Sequence, residues 1–295
     1  MKICVFGLQH LGCVTAACLA EKGFVVTGLD PNETSVQFLN RGISPIYEEN
    51  LNDLISKNLG VNLKFTTNIK SALEDAEIIW VTFDTPVDEN DIADTEYVKK
   101  QIISLYPHLQ EGTTILISSQ LPMGTTIKLE KEYNKWFKNQ VEFAYSPENL
   151  RHGTAIEIFN NPRRIIVGAK DENNILLKIL LRTICQNTIY MSVESAEMVK
   201  HTLNAFLATE IAFINEISLV CEKTGANIKD VEKGLMSDYR IGDKGFLRAG
   251  KHYTGGTLGR DVEYLRKISS ELRLESNLLR SIKKSNDNHE KYERD

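Results

Sequence analysis

A glycine-spaced turn, GLQHLG at 7–12, follows an apolar run at Lys2–Phe6, and Asp30 closes a second apolar run at Phe24–Leu29. In that order these residues have the chemistry of a dinucleotide site. Gly7 would make the tight turn, and Gly12 would let a helix pack closely on its strand. The helix N-terminus, at Gln9, His10 and Leu11, would receive a pyrophosphate. A carboxylate at the end of the second strand suits the paired ribose hydroxyls of NAD better than the 2′-phosphate of NADP. One position departs from the usual fingerprint. Its middle glycine, which lets the backbone approach the pyrophosphate, is Gln9 here.

Lys200 and Asn204 form a second set, four residues apart in a helical stretch, so their side chains stack on one face. A lysine snorkelling from the helix flank beside an ordinary asparagine would satisfy the same spacing. The five cysteines, Cys4, Cys13, Cys18, Cys185 and Cys221, show no CxxC or metal spacing and lie in apolar contexts. Buried reduced thiols in a cytoplasmic protein are the expectation. The six histidines are scattered and point to no metal site.

The element that must carry Lys200 and Asn204 runs from Ser192 to Gly225, without proline or internal glycine. Val199, Leu203, Phe206, Phe213, Ile217 and Val220 recur at steps of three, four and seven, the period of a helix with one buried stripe. Ser192 can cap its first turn and Gly225 can end it. Such a helix is roughly 45–50 Å long, enough to join two domains or to form a subunit interface.

Ahead of it, Leu11–Lys22 reads as a helix between the first two strands. Further strands are expected at Glu77–Thr82, Thr114–Ser118, Val141–Ala144 and Arg164–Gly168, most of them separated by helical segments. That is a Rossmann-type, doubly wound parallel sheet, which binds ligands in loops at strand C-termini. Those loops read FDTPVDEND (83–91), SSQLPMGTT (118–126) and YSPENLRHGTA (145–155). All seven prolines lie at or before Pro162, and the chain beyond is helix-patterned. The organisation expected is α/β: a dinucleotide-binding domain over 1–190, then an all-helical domain over 191–295 built on the long helix.

Composition narrows the classes. The chain has 295 residues, 42% of them hydrophobic, and a formal net charge of −5, which argues against a general nucleic-acid binder. No run is read as approaching the ~18–20 apolar residues a membrane span needs. The N-terminus imitates a signal peptide, but Gln9 and His10 interrupt its apolar run.

Several ordered motifs resemble those of the UDP-glucose/GDP-mannose 6-dehydrogenase family, over essentially the whole chain. RGISPIYEENL (41–51) is similar to GxSPxxEPGL, and FDTP (83–86) to the family's GTP loop with Asp84 in place of glycine. SSQLPMGTT is similar to STVPVGTT, SPENLRHGTA to SPEFLREGTA, and SAEMVKHTLNAFLA to the central-helix signature. AGKHYTGGTLGRD (249–261) resembles PGPGFGGSCFPKD without a gap.

The resemblance implies a function. Family members oxidise a sugar CH₂OH to a carboxylate with two NAD, through an aldehyde held on a cysteine as a thiohemiacetal and then a thioester. Lys200 matches the lysine that stabilises oxyanions, Asn204 its amide partner, and Asp261 the carboxylate that handles the proton with a water. Glu148 matches the glutamate of thioester hydrolysis. By the same matching, Thr85 and Gln120 border the cofactor. Asn149, Leu150, Arg151, Arg240, Tyr253, Gly255 and Gly256 border the substrate, expected to be a nucleotide sugar.

Three departures cluster on the second oxidation. The cysteine position is Thr257, the loop threonine near the hydrolytic water is Gln120, and the second glutamate of SPEFLRE is His152. A threonine hydroxyl is a far poorer nucleophile than a thiolate. The family usually continues into another α/β domain that closes over the substrate's nucleotide, whereas this sequence stops at Asp295. The basic residues Arg240, Lys244, Arg248, Lys251 and Arg260 would then hold the nucleotide loosely, or another chain would cover it, or the substrate would be a different one.

The expectation is an NAD-dependent oxidoreductase of the nucleotide-sugar dehydrogenase type. It would be limited to one alcohol–aldehyde step and form a homodimer through the 192–225 helix, away from nucleic acid and membrane. Two alternatives are isomerisation of a sugar on a retained NAD, and a silent homologue that binds a nucleotide and acts through protein contacts.

Overall fold

The structure is a computed structural model and describes residues 1–85, 94–148 and 150–294. Eight strands form one sheet: β1 (Lys2–Phe6), β2 (Val25–Leu29), β3 (Leu63–Thr66), β4 (Ile78–Val81), β5 (Thr114–Ile117), β6 (Glu142–Tyr145), β7 (Ile165–Gly168) and β8 (Thr188–Met191). The helices of this half are α1 (His10–Glu21), α2 (Glu33–Leu39), α3 (Leu51–Asn58), α4 (Ile69–Leu73), α5 (Thr95–Leu105), α6 (Thr125–Trp136), α7 (Ala155–Asn160) and α8 (Ile175–Ile184). Then follow α9 (Val193–Thr224), α10 (Ile228–Ser237), α11 (Arg260–Glu271) and α12 (Asn277–Arg294). The described residues up to Met198 make one unit and those from Val199 a second.

Strand order in the sheet is β3-β2-β1-β4-β5-β6-β7-β8. The order reverses at β1, which pairs in parallel with β2 on one side and with β4 on the other. In such sheets the crevice at that reversal, at the strand C-termini, receives the ligand. The strands are apolar along their length because helices cover both faces. Ile3, Val5, Val26, Ile78 and Leu116 meet Val14, Ala17 and Leu19 of α1 in one buried cluster.

Two features depart from the expected sheet. β6 and β7 meet antiparallel, at the single pair Tyr145 and Gly168, although β7 and β8 run parallel again. β3 and β8, absent from the sequence reading, are the two edge strands. Each has four residues with partly exposed positions, so neither shows the continuous apolar run that marks a central strand.

In the second unit the expected burial of α9 is corrected. Phe206, Phe213 and Val220, assigned to the buried stripe, are 60%, 50% and 54% exposed, and Val199, Leu203 and Ile217 are half-buried. Apart from Val193 and Ile214, the side buried in this chain is made of small and polar residues instead. Ala205, Ala208 and Ala212 form a cluster with Tyr253, Val262 of α11 and Ile282 of α12. Alanines let neighbouring chain approach closely, and large side chains at those positions would hold it away. Among the described residues α9 is the one helix long and apolar enough to cross a membrane; the run that passes is 33% buried.

Candidate functional site

In the first unit the glycine turn is built by contacts that tolerate no side chain. Gly7 has φ +101°, and a Cβ there would lie 2.8 Å from Phe83. A Cβ on Gly12 would stand 1.7 Å from the Gly7 carbonyl oxygen, so α1 presses directly on the turn. Thr82, at the end of β4, donates its hydroxyl to the same carbonyl at 2.8 Å. Leu11 is buried and can offer a ligand only its backbone.

Asp30 is buried at the end of β2, where Oδ2 accepts the Leu8 N–H at 2.6 Å and Oδ1 the Asn32 N–H at 2.8 Å. The carboxylate is therefore oriented before any ligand arrives. Each oxygen keeps a lone pair for a ribose hydroxyl. Gln9 has a specific local task, since its Oε1 accepts the Asp84 N–H at 2.8 Å and ties the turn to the FDTP loop. Burial pushes the Asp84 carboxyl up, and the charge and backbone of His10, the first residue of α1, pull it part of the way back down. The helix end expected to take a pyrophosphate thus already faces a carboxyl group of the chain itself. Thr85 and Gln120 are brought together, the Thr85 hydroxyl donating to the Gln120 carbonyl at 2.7 Å.

His10 and His152, far apart in sequence, stack with ring centroids 3.8 Å apart and planes at 28°. Nε2 of His10 lies 3.0 Å from Glu48, which also accepts the Gly153 and Ala155 N–H groups at 2.9 Å each. Burial pushes the Glu48 carboxyl up, but these hydrogen bonds outweigh it and hold the group below its ordinary value. The potential ligand atoms of His10, Glu48 and His152 lie within 4.8 Å of one another. A nitrogen lone pair lies in the plane of its ring, so two rings stacked face to face direct theirs along near-parallel lines. They do not converge on one ion. The stack and the carboxylate join the 41–51 loop to the 145–155 loop, a structural task the scattered sequence positions concealed.

In the 145–155 loop, the Glu148 carboxylate accepts the Leu150 N–H, Leu150 packs on the main core, and Arg151 is exposed. Asn149 lies outside the described residues, as do residues 86–93 of the FDTPVDEND loop and its continuation. Glu197 was not singled out as a site residue. Fully buried near the start of α9, it accepts the N–H groups of Gly124 and Thr126 and so anchors the SSQLPMGTT loop. Burial raises its carboxyl pKa.

The second unit gathers two polar side chains around one carboxylate. Asp261, in the first turn of α11, is 1% exposed. Its Oδ2 accepts from Asn204 Nδ2 at 2.5 Å, and its Oδ1 lies 2.8 Å from Nδ1 of His201. The His201 ring tilts over Tyr264 at 4.1 Å between centroids. Lys200, half-buried, precedes Asn204 by one turn of α9. His201 escaped the sequence reading, although its spacing of three from Asn204 puts both on one side of the helix.

Thr257 is exposed in the π-helical turn Gly255–Gly259 that leads into α11, a turn that also holds Gly256. Tyr253 is buried, its backbone paired with the Asn286 side chain at 2.9 and 3.0 Å. Burial pushes the Tyr253 phenol up to about 12. Arg240 is exposed and grips Asp238 through two nitrogens, at 2.9 and 2.7 Å. Lys244, Arg248 and Lys251 are exposed.

Comparison with known proteins matches residues 1–189 to the NAD binding domain of the UDP-glucose/GDP-mannose dehydrogenase family, and 194–288 to that family's central domain. The UDP-glucose 6-dehydrogenase TuaD of Bacillus subtilis is 34% identical over 290 residues, 97% of this chain and 63% of its own length. YwqF, a second UDP-glucose 6-dehydrogenase of that organism, is 36% identical over 98% of this chain and 67% of its own length. The chain therefore spans about two-thirds of the length of these relatives. A solved UDP-glucose dehydrogenase from Pyrobaculum islandicum superposes with a TM-score of 0.84 at 28% identity, covering 99% of this chain and 68% of its own. A GDP-mannose dehydrogenase from Pseudomonas aeruginosa gives 0.74 at 29% identity, over 98% and 69%.

Proposed function

We propose a function from one premise: this chain belongs to the UDP-glucose/GDP-mannose dehydrogenase family. It is an NAD-dependent oxidoreductase that acts on a CH–OH group of a nucleotide sugar, in a single alcohol–aldehyde step. The observation that carries the single step is Thr257, an exposed hydroxyl where the family's thiolate would stand.

The glycine turn, the preset Asp30 carboxylate and the end of α1 fit a dinucleotide, with Asp84 as a competing anion. NAD, when bound there, supplies a hydride acceptor. The chain's own residues must then hold the substrate oxygen and remove its proton. The Lys200 ammonium stabilises the oxygen as negative charge develops on it. Asn204 fixes the Asp261 carboxylate, which takes the hydroxyl proton by way of a water. Glu148 completes the family's set. Without a thiolate no covalent adduct retains the aldehyde, so it leaves, hydrates or is reduced back. The five buried free cysteines fit a reducing, cytoplasmic setting.

The test counts NADH released per product from UDP-glucose and other nucleotide sugars, with mass spectrometry separating aldehyde from acid. One NADH and an aldehyde are expected. Two NADH and a uronic acid would remove the single-step reading. The contacts of Gln9 and Asp84 favour a second reading, a homologue that binds nucleotide without turnover. Binding of NAD by calorimetry with no reduction of any sugar tested would select it.

The exposed Phe206, Phe213 and Val220 recur every seven residues along α9 and support a homodimer through that helix.

A further inference from the structure

Asp261 presents a physical problem that its neighbours solve. A carboxylate 1% exposed has lost almost all its water, and an ionised group in that state needs hydrogen-bond donors. Two side chains one turn apart on α9 face its two oxygens separately: Asn204 Nδ2 on Oδ2 and His201 Nδ1 on Oδ1, at 2.5 and 2.8 Å. A bare imidazole nitrogen would set one lone pair against another at that distance. An ionised carboxylate at that place calls for a ring that carries its hydrogen on Nδ1. Because the two donors hold different oxygens, they fix the plane of the carboxylate as well as its position. Tyr264, one turn after Asp261 on α11, lies against the same ring and limits its rotation.

We propose that His201 is a positioning residue for the reaction, the Nδ1–H donor that with Asn204 clamps the Asp261 carboxylate in one orientation. This rests on the reading of Asp261 as the group that handles the substrate proton. A proton acceptor free to rotate spends part of its time misdirected, and the resulting loss falls on turnover and not on cofactor binding. His201 touches neither the cofactor nor the reacting atoms in this role. It acts through Asp261.

Two measurements test the clamp, one of them independent of activity. With histidine labelled by ¹⁵N, the shifts of the His201 ring in the unmodified full chain report which nitrogen is protonated. The expected signature is Nδ1–H; hydrogen on Nε2 with Nδ1 bare overturns the proposal whether or not the protein turns over. The second uses UDP-glucose and NAD with two variants. His201→Leu removes the donor, while His201→Asn places an amide N–H at nearly the Nδ1 position. His201→Leu should lower kcat about 30-fold, the scale of one charge-assisted hydrogen bond, with KM for NAD unchanged. His201→Asn should recover most of that loss. A residue that only fills space would give equal kcat in both variants, differing at most in melting temperature, and that result overturns the proposal. If the unmodified chain turns over no sugar, the proposed activity fails while the ring tautomer still decides the clamp.

Discussion

Asp84 and Lys200 carry the predictions that belong to single residues. Asp84 sets a carboxyl group beside His10, at a helix end whose positive dipole is expected to receive a dianionic pyrophosphate. Asp84→Gly should remove the repulsion between the two anions, tightening NAD binding about five- to tenfold by calorimetry. Unchanged or weaker binding would show that the anion seat lies elsewhere. Asp30→Ala should act in the opposite direction on NAD and relax the discrimination against NADP, because the preset carboxylate is lost. Lys200 is half-buried on the flank of α9, outside the alanine cluster. Lys200→Ala should lower kcat at least about 100-fold, the scale of losing one preorganised stabiliser of an oxyanion. Its melting temperature should stay within a few degrees of the unmodified protein.

At the scale of elements, the contact between α1 and the turn after β1 is the least forgiving in the first unit. Gly12→Ala drives a methyl to 1.7 Å from the Gly7 carbonyl oxygen, so the helix must withdraw. A loss of roughly 3 kcal/mol or more is expected in denaturant unfolding, together with loss of NAD binding. Helix α9 makes a different prediction. Its two phenylalanines leave half or more of their surface uncovered by the single chain, and leaving that surface in water is costly if no partner covers it. Phe213→Glu should convert a dimer into a monomer by light scattering without unfolding it. A dimer that survives Phe206→Glu together with Phe213→Glu would place the interface on another surface.

For the whole molecule, the acid side of the stability curve depends on Glu48, which ties two distant loops to His10. Its folded carboxyl lies below the ordinary 4.5, so its contribution is fully present above that value. It is lost as pH falls through the folded value. Glu48→Gln should therefore lower the melting temperature at neutral pH, and the gap should narrow as pH drops below about 4.5. The thiols give an independent reading of integrity. Burial pushes Cys13 and Cys18 up to about 12 and Cys4 higher still, so none of the three should react with a thiol reagent at pH 8 before unfolding.

Much of the first unit was legible in the chain order of types. Periodicity and punctuation located β1, the glycine turn, α1, β2 and Asp30, because each is a local consequence of steric freedom or apolar spacing. The ordered motifs brought Lys200, Asn204 and Asp261 into one reading before any coordinates. The rest depends on approach between distant segments, which local rules do not encode. His201 reads as an ordinary helix residue until α11 brings Asp261 within 2.8 Å of it. His10 and His152 look scattered until the 145–155 loop stacks one on the other at the start of α1, and Asp84 looks like a turn residue until its N–H meets Gln9. The stripe on α9 was visible as a pattern, but period alone cannot say which face a chain buries within itself. The tertiary structure decided that, because alanines admit α11 and α12 closely and the phenylalanines beside them would not.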